Sequence, residues 1–365
     1  MKRFLVFCAA ATLVWVGSNR SEGNPLSQFS SSPNYKTPET ISQAPASFGS
    51  FGGQFFIPDL GTTPGTIWRV PSTGGPPVQF TTTPDYTPLG GLFLPATGWG
   101  AASGNFLVAG GQSGSPGAAV IFTYAANGTR TTFVSVSGPN QFDQPQIAPA
   151  GFGAFGGELV VPNAVNGQIV AFTPAATSSV VSSVQFFPFG TAFAPPLGFG
   201  SLSGDLFVSS SQENKIAVIS PDGTSSPFTT IPLLPGQTGL RQLVFSPDEF
   251  LPGFGPLLFA SVSGSTNGGG TLGDVVALDS NGTIVASLRK NLGLTKFDPR
   301  GMFFTTDGNV LINDASDAAV YLAQPSDFLV VSAVPEPATF VMLVTGLGAV
   351  VALGLRRQRH TQRES

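Results

Sequence analysis

The side chains that most often carry enzyme chemistry are scarce in the middle of this chain. Its one cysteine, Cys8, and its one histidine, His360, lie close to the two ends. The body between them therefore has no thiolate nucleophile, no imidazole base and neither of zinc's commonest ligands. Ser-His-Asp and Cys-His hydrolases are excluded there, and so is an ordinary zinc hydrolase. What remains is oxygen chemistry. Asp59, Glu158, Asn163, Asp205, Glu213, Asn214, Asp274, Asp314 and Asp317 fall at the ends of strand-like segments. Carboxylate and amide oxygens suit Ca²⁺, and the candidate set is Asp205 with Asn313, Asp314 and Asp317, the last three forming the densest cluster. The plainer reading makes each of them a solvated turn or strand end, and it is the favoured one for any single residue. Asp248-Glu249, after Ser-Pro, reads as a capped turn. Trp68 and Trp99 would stack on sugar rings if exposed, but both sit in strand-like apolar segments, which favours the core. No catalytic residue is assigned, and no cofactor is expected unless Ca²⁺ occupies those oxygens.

The elements that would position these residues repeat. FGSFGGQFFI begins at Phe48, WGAASGNFLV at Trp99, FGAFGGELVV at Phe152 and FGSLSGDLFV at Phe199. Each has an aromatic, a Gly directly after it, a second Gly five residues on, and then an apolar strand. A shortened copy starts at Phe254, and FFTTDGNVLI starts at Phe303. The starts are 51, 53, 47, 55 and 49 residues apart, a period that signals a repeat architecture. A second strand follows each phrase (TIWRV, AVIFTY, QIVAFT, KIAVIS, DVVALD and AVYLA), and several are closed by Asn127-Gly128, Asp222-Gly223 or Asn281-Gly282. Such pairs tolerate the positive φ of a two-residue hairpin turn. Six units of three or four antiparallel strands, about 47 residues each, predict an all-β chain folded as a six-bladed β-propeller. A pair of β-sandwiches is the runner-up.

Composition agrees. The 46 Gly and 32 Pro would suggest disorder in an aromatic-poor chain, but 32 Phe and 41% hydrophobic residues supply a core. Residues 21–334 carry 9 Lys and Arg against 18 Asp and Glu. An acidic body with scattered cations cannot neutralise a phosphate backbone, so nucleic acid is set aside as a partner.

The two ends read as routing segments. Residues 1–20 have Lys2 and Arg3, an apolar run from Phe4 to Val16, and Gly17-Ser18, the pattern of a cleaved signal peptide. Residues 21–47 read as a flexible lead-in that could lend the ring a closing strand, and residues 48–332 as the propeller. In 333–365, Val334-Pro335-Glu336-Pro337 precedes an uncharged stretch over 338–355 and then Arg356, Arg357 and Arg359. Eighteen helical residues span about 27 Å, close to the bilayer core, and the arginines orient the end of this transmembrane helix to the cytoplasm.

Motif, span and basic cluster, in that order, resemble the PEP-CTERM sorting tail of Gram-negative bacteria. The resemblance implies recognition of Pro335, Glu336 and Pro337 by an exosortase after export across the inner membrane. It also implies a membrane-anchored precursor, a destination on the cell surface or in the biofilm matrix, and exopolysaccharide as an associated partner. The aromatic-Gly phrases more loosely resemble NHL-like propellers. Together these point to a non-enzymatic binding or structural module; the competing expectation is a Ca²⁺-dependent lactonase of the gluconolactonase-like propeller type.

Overall fold

The computed structural model describes residues 26–61, 65–112, 118–264, 272–288 and 296–331. The expected signal peptide, the Pro-Glu-Pro motif, the transmembrane helix and the terminal arginines lie outside the described residues. Among those described, no helix is long and apolar enough to cross a membrane.

Six antiparallel sheets follow one another along the chain. After an N-terminal strand β1 (Ser27–Ser31), blade 1 comprises β2 (Ser42–Gln43), β3 (Phe55–Asp59), β4 (Gly65–Val70) and β5 (Val78–Thr83). Blade 2 holds β6 (Tyr86–Phe93), β7 (Phe106–Gln112), β8 (Ala119–Tyr124) and β9 (Arg130–Val136). Blade 3 holds β10 (Gln146–Ile147), β11 (Leu159–Asn163), β12 (Gln168–Phe172) and β13 (Ser178–Ser183). Blade 4 holds β14 (Pro188–Phe193), β15 (Leu206–Ser210), β16 (Lys215–Ile219) and β17 (Ser225–Thr230). Blade 5 holds β18 (Gly239–Phe245), β19 (Leu258–Ser263), β20 (Asp274–Leu278) and β21 (Ile284–Ser287). Blade 6 holds β22 (Pro299–Phe304), β23 (Val310–Asp314) and β24 (Ala319–Ala323). Apart from β1, the strands of each sheet lie in chain order, and the inner segments of neighbouring blades touch, so the chain forms a six-bladed propeller with those segments innermost.

The ring closes through the segment expected to be a flexible lead-in. Strand β1 pairs antiparallel with β24 and becomes the outer strand of blade 6. Its neighbour Leu26 is buried in the same apolar cluster as Phe250, Phe259 and Phe328 from the end of the body. A two-residue strand, β25 (Leu329–Val330), adds a fifth strand to blade 5 against β21.

The recurrent phrase is the connection from the innermost to the second strand. In four blades it folds into a 3₁₀ turn, over Gly49–Phe51, Gly100–Ala102, Gly153–Phe155 and Gly200–Leu202. Both glycines of each phrase have positive φ, for example +51° at Gly153 and +81° at Gly157, a region that L side chains rarely occupy. The aromatic itself is core. Phe48, Phe152 and Phe199 each meet the last residue of the next blade's inner strand (Phe93, Phe193 and Phe245) edge-on, with ring centroids 4.8 Å apart. That geometry satisfies the aromatic quadrupoles while excluding water between blades.

Two of the six phrases are placed differently from the sequence expectation. In blade 5 the packing role belongs to Phe250, which meets Phe304 at 4.8 Å, while Phe254 is only partly buried. In blade 6 Phe303 lies within the inner strand, and a tight turn over 305–309 replaces the 3₁₀ loop. The Asn-Gly hairpins also differ. Only Gly128, Gly223 and Gly282 of the dipeptides have positive φ, which a two-residue I′ turn would require of both residues. The longer Ala125–Thr129 pattern, with Ala125 N–H donating to Thr129 O at 3.0 Å, is a turn followed by a left-handed glycine.

Candidate functional site

Every inner strand bulges near its start. Pro38 pairs with Asp59, Pro88 with Gly110, Phe142 with Asn163, Pro188 with Ser210, Leu240 with Val262 and Pro299 with Asp314. After each pair the register slips, so the inner strand carries extra residues there. Bulges re-aim side chains, and here they set a ring of six equivalent positions: Glu39, Leu89, Asp143, Phe189, Arg241 and Arg300. Two acids, two arginines and two apolar residues thus surround the channel. The next position alternates between a polar residue and glycine: Thr40, Gly90, Gln144, Gly190, Gln242, Gly301. A Cβ on Gly90, Gly190 or Gly301 would stand 2.7, 2.2 or 1.9 Å from the neighbouring blade's backbone. Two of the polar members bridge instead: Thr40 Oγ1 accepts from Gly91 N–H at 2.9 Å, and Gln242 Oε1 accepts from Met302 N–H, whereas the Gln144 amide is buried with no partner among the described residues. In blades 4 to 6 a second-strand residue donates to the next blade's bulge carbonyl. Ser209 reaches Arg241 O (2.6 Å), Ser261 reaches Arg300 O (3.1 Å) and Asn313 reaches Glu39 O (2.9 Å).

The charges in this ring are buried, Arg241 only partly, and unequally paired. Arg300 Nε and Nη2 both lie 2.9 Å from Asp298 Oδ2, and Nη1 lies 3.5 Å from Glu39 Oε1. Asp298 Oδ1 is in turn held by Ser263 Oγ at 2.6 Å and Gly264 N–H at 3.0 Å. Burial opposes the charge of Arg300, yet Glu39 and Asp298 outweigh it and hold its pKa above the ordinary value. Burial raises the pKa of Glu39 despite Arg300 and Arg241, and raises that of Asp143 well above its ordinary value despite the Gln141 amide and the Arg241 charge. Arg241 contrasts with Arg300: among the described residues its guanidinium has no hydrogen-bond partner, and it lies over the Phe189 ring at 5.1 Å. Burial and the Arg300 charge depress its pKa, against the opposing charges of Glu39, Asp298 and Asp143.

The residues singled out from sequence fall elsewhere. Asp59, Asn163 and Asp314 occupy equivalent positions at the ends of β3, β11 and β23, where each clamps the incoming chain. Asp59 accepts from Lys36, Thr37 and Gly61 N–H and from Trp68 Nε1. Asn163 accepts from Gln141 N–H at 3.2 Å. Asp314 Oδ1 accepts from Asp298 N–H, Ser316 N–H and Ser316 Oγ, and burial pushes its pKa up to about 6. Asp317 accepts from Tyr321 Oη at 3.0 Å. Asp205 and Glu158 precede β15 and β11, at the other end of the strands from Asp314's position, about 17 Å away for a five-residue strand. Asp205 is therefore not brought together with Asn313, Asp314 and Asp317. Glu213 pairs with Lys215 at 2.6 Å, Asn214 donates to Ile231 O and Asp274 accepts from Ser287 Oγ. Trp68 and Trp99 are buried.

The channel residues escaped the sequence reading, although a signal existed. Each ring residue in blades 1 to 5 stands nine or ten positions before the aromatic packed between blades, as Glu39 does before Phe48 and Arg241 before Phe250. The donor set does not fit a divalent cation, because two guanidinium groups share the ring with its carboxylates. Among the described residues no three of His, Cys, Asp and Glu are grouped to hold a metal.

No protein-family model matches the sequence, and no curated protein matches it. Solved structures match in fold. A putative gluconolactonase is similar at 14% identity and TM-score 0.56, covering 82% of this chain and 91% of that one. A gluconolactonase from Xanthomonas campestris is similar at 13% identity and TM-score 0.53, covering 80% of this chain and 86% of that one. Regucalcin, a calcium-binding protein from Agrobacterium tumefaciens, is similar at 12% identity and TM-score 0.54, covering 81% of this chain and 95% of that one. At these identities the likeness defines the class as a β-propeller and goes no further.

Proposed function

We propose that this chain is an exported, non-enzymatic propeller module of the cell surface or biofilm matrix, binding exopolysaccharide. The observation that carries the non-enzymatic reading is the composition of the channel ring. Its two carboxylates face two arginines, which favours recognition of a polar ligand over the binding of a catalytic cation. The Pro335-Glu336-Pro337 motif, the 338–355 span and the terminal arginines support export and processing by an exosortase in a Gram-negative bacterium. The test is co-sedimentation of the full-length protein, in detergent, with exopolysaccharide from the producing cells. Saturable retention is expected; recovery of the protein wholly in the supernatant would overturn the binding role.

A second reading, a Ca²⁺-dependent lactonase, is supported by one observation: Glu39 and Asp143 are buried on the same ring of a fold shared with gluconolactonases. Ca²⁺-dependent hydrolysis of gluconolactone, abolished by Glu39→Gln, would establish it in place of the first.

A further inference from the structure

We infer that Arg241 anchors a site at the central channel for the carboxylate of an acidic saccharide, which rests on the glycan-binding reading above and names the ligand's chemistry. Two arginines, Arg241 and Arg300, stand at the same position in adjacent blades. Arg300 has an aspartate two residues before it, Asp298, and the Glu39 carboxylate across the blade boundary. In blade 5 the position of Asp298 is held by Gly239, with φ of +151° and a Cβ position only 2.4 Å from Ser211 O. No aspartate fits there. Arg241 is thus denied the internal partner that its counterpart has, and its buried Nε meets no acceptor among the described residues.

Glu39, Asp298 and Asp143 act on Arg241 through charge but none is hydrogen-bonded to it, so its planar donors stay open and match a carboxylate in bidentate fashion. The fork is already oriented, since the Phe189 ring lies beneath it at 5.1 Å. Unlike Arg300, Arg241 keeps partial exposure, so a ligand can reach it. The surroundings select the anion. Glu39 and Asp143 are buried on the same ring with Asp298 beside it, so a phosphate with two charges on one centre meets more repulsion than one carboxylate of a saccharide chain.

The experiment titrates full-length protein in detergent with trigalacturonate, with neutral maltotriose and with inorganic phosphate, by calorimetry. Trigalacturonate is expected to bind at least tenfold more tightly than maltotriose. Arg241→Gln should lose at least tenfold of that affinity with an unchanged melting temperature, and Arg241→Lys should recover part of it. Phe189→Leu, which keeps the site filled but removes the aromatic face, should weaken binding two- to fivefold and gives a second variant if Arg241→Gln misfolds. Undiminished trigalacturonate binding by Arg241→Gln would overturn the inference, as would phosphate displacing trigalacturonate at equal concentration. Equal binding of both trisaccharides would overturn the carboxylate site and leave the glycan-binding role standing. No binding of either, together with no exopolysaccharide retention, would remove both.

Discussion

Between blades, Phe48, Phe152, Phe199 and Phe250 repeat one contact, a ring set edge-on against the aromatic that ends the next inner strand. Around the channel, the six equivalent bulge positions repeat only their backbone, and their side chains range from Leu89 and Phe189 to Glu39 and Arg300. The first region tolerates little variation, because a close-packed cleft fixes volume and shape. The second is supported from behind, by bulges, glycines and the bridging Ser209, Ser261 and Asn313, so its side chains can differ from blade to blade. Repetition carries the fold, and departures from repetition carry the site.

The comparison is broken most severely at its best-paired charge. Arg300→Met should destabilise the protein by about 3–5 kcal/mol, because Asp298 and Glu39 would be left buried without their cation; denaturant midpoints at constant slope would measure it. Phe199→Ala should cost a similar amount, about 3–5 kcal/mol, by opening a cavity beside Phe207 and Phe245. If Arg300→Met cost less than 1 kcal/mol, the ring would not be the structural charge network described here.

A pH series sharpens the same contrast. Asp314 has a folded pKa of about 6 against an ordinary value of 3.8, so the folded state holds the extra proton between those values. Stability from this group is therefore complete below about pH 4 and falls as pH rises to about 6, by at most about 3 kcal/mol. Thermal melts between pH 4 and 7 should show a steeper decline for wild type than for Asp314→Asn. Gly153→Ala comes next, with more than about 1 kcal/mol lost, since φ is +51° and the new Cβ would stand 2.1 Å from Pro221 O. Arg241→Gln should be the mildest, within about 0.5 kcal/mol, although it occupies the same ring position as Arg300.

The fold was largely legible because its strongest signals are local. Aromatic-Gly spacing reports a 3₁₀ turn with two left-handed glycines, and a glycine demanded by φ is visible in sequence. Where the turn chemistry changed, the reading slipped: Phe303 kept the spacing by coincidence, and Phe254 took the place of Phe250. Ring closure by β1 is only an option on the sequence, because Ser27–Ser31 has no apolar alternation and its pairing with β24 spans nearly the whole chain. The site was hardly legible. Asp59, Asn163 and Asp314 drew notice as polar strand ends, but a sequence does not distinguish a carboxylate that clamps backbone N–H groups from one that faces a ligand. Arg241 and Arg300 looked like scattered cations until the blades brought them to one ring with Glu39 and Asp143.

The proposed recognition ring sets arginine against carboxylate and would leave no place for a catalytic cation. It is tested most directly by titrating the full-length protein with Ca²⁺ and Mg²⁺ while following its melting temperature, since a ligand specific for the native state must raise it. No Ca²⁺-selective shift is expected up to millimolar concentration. A saturable, Ca²⁺-selective rise that disappears in Glu39→Gln would contradict it and put a metal where the ring now sets arginine against carboxylate.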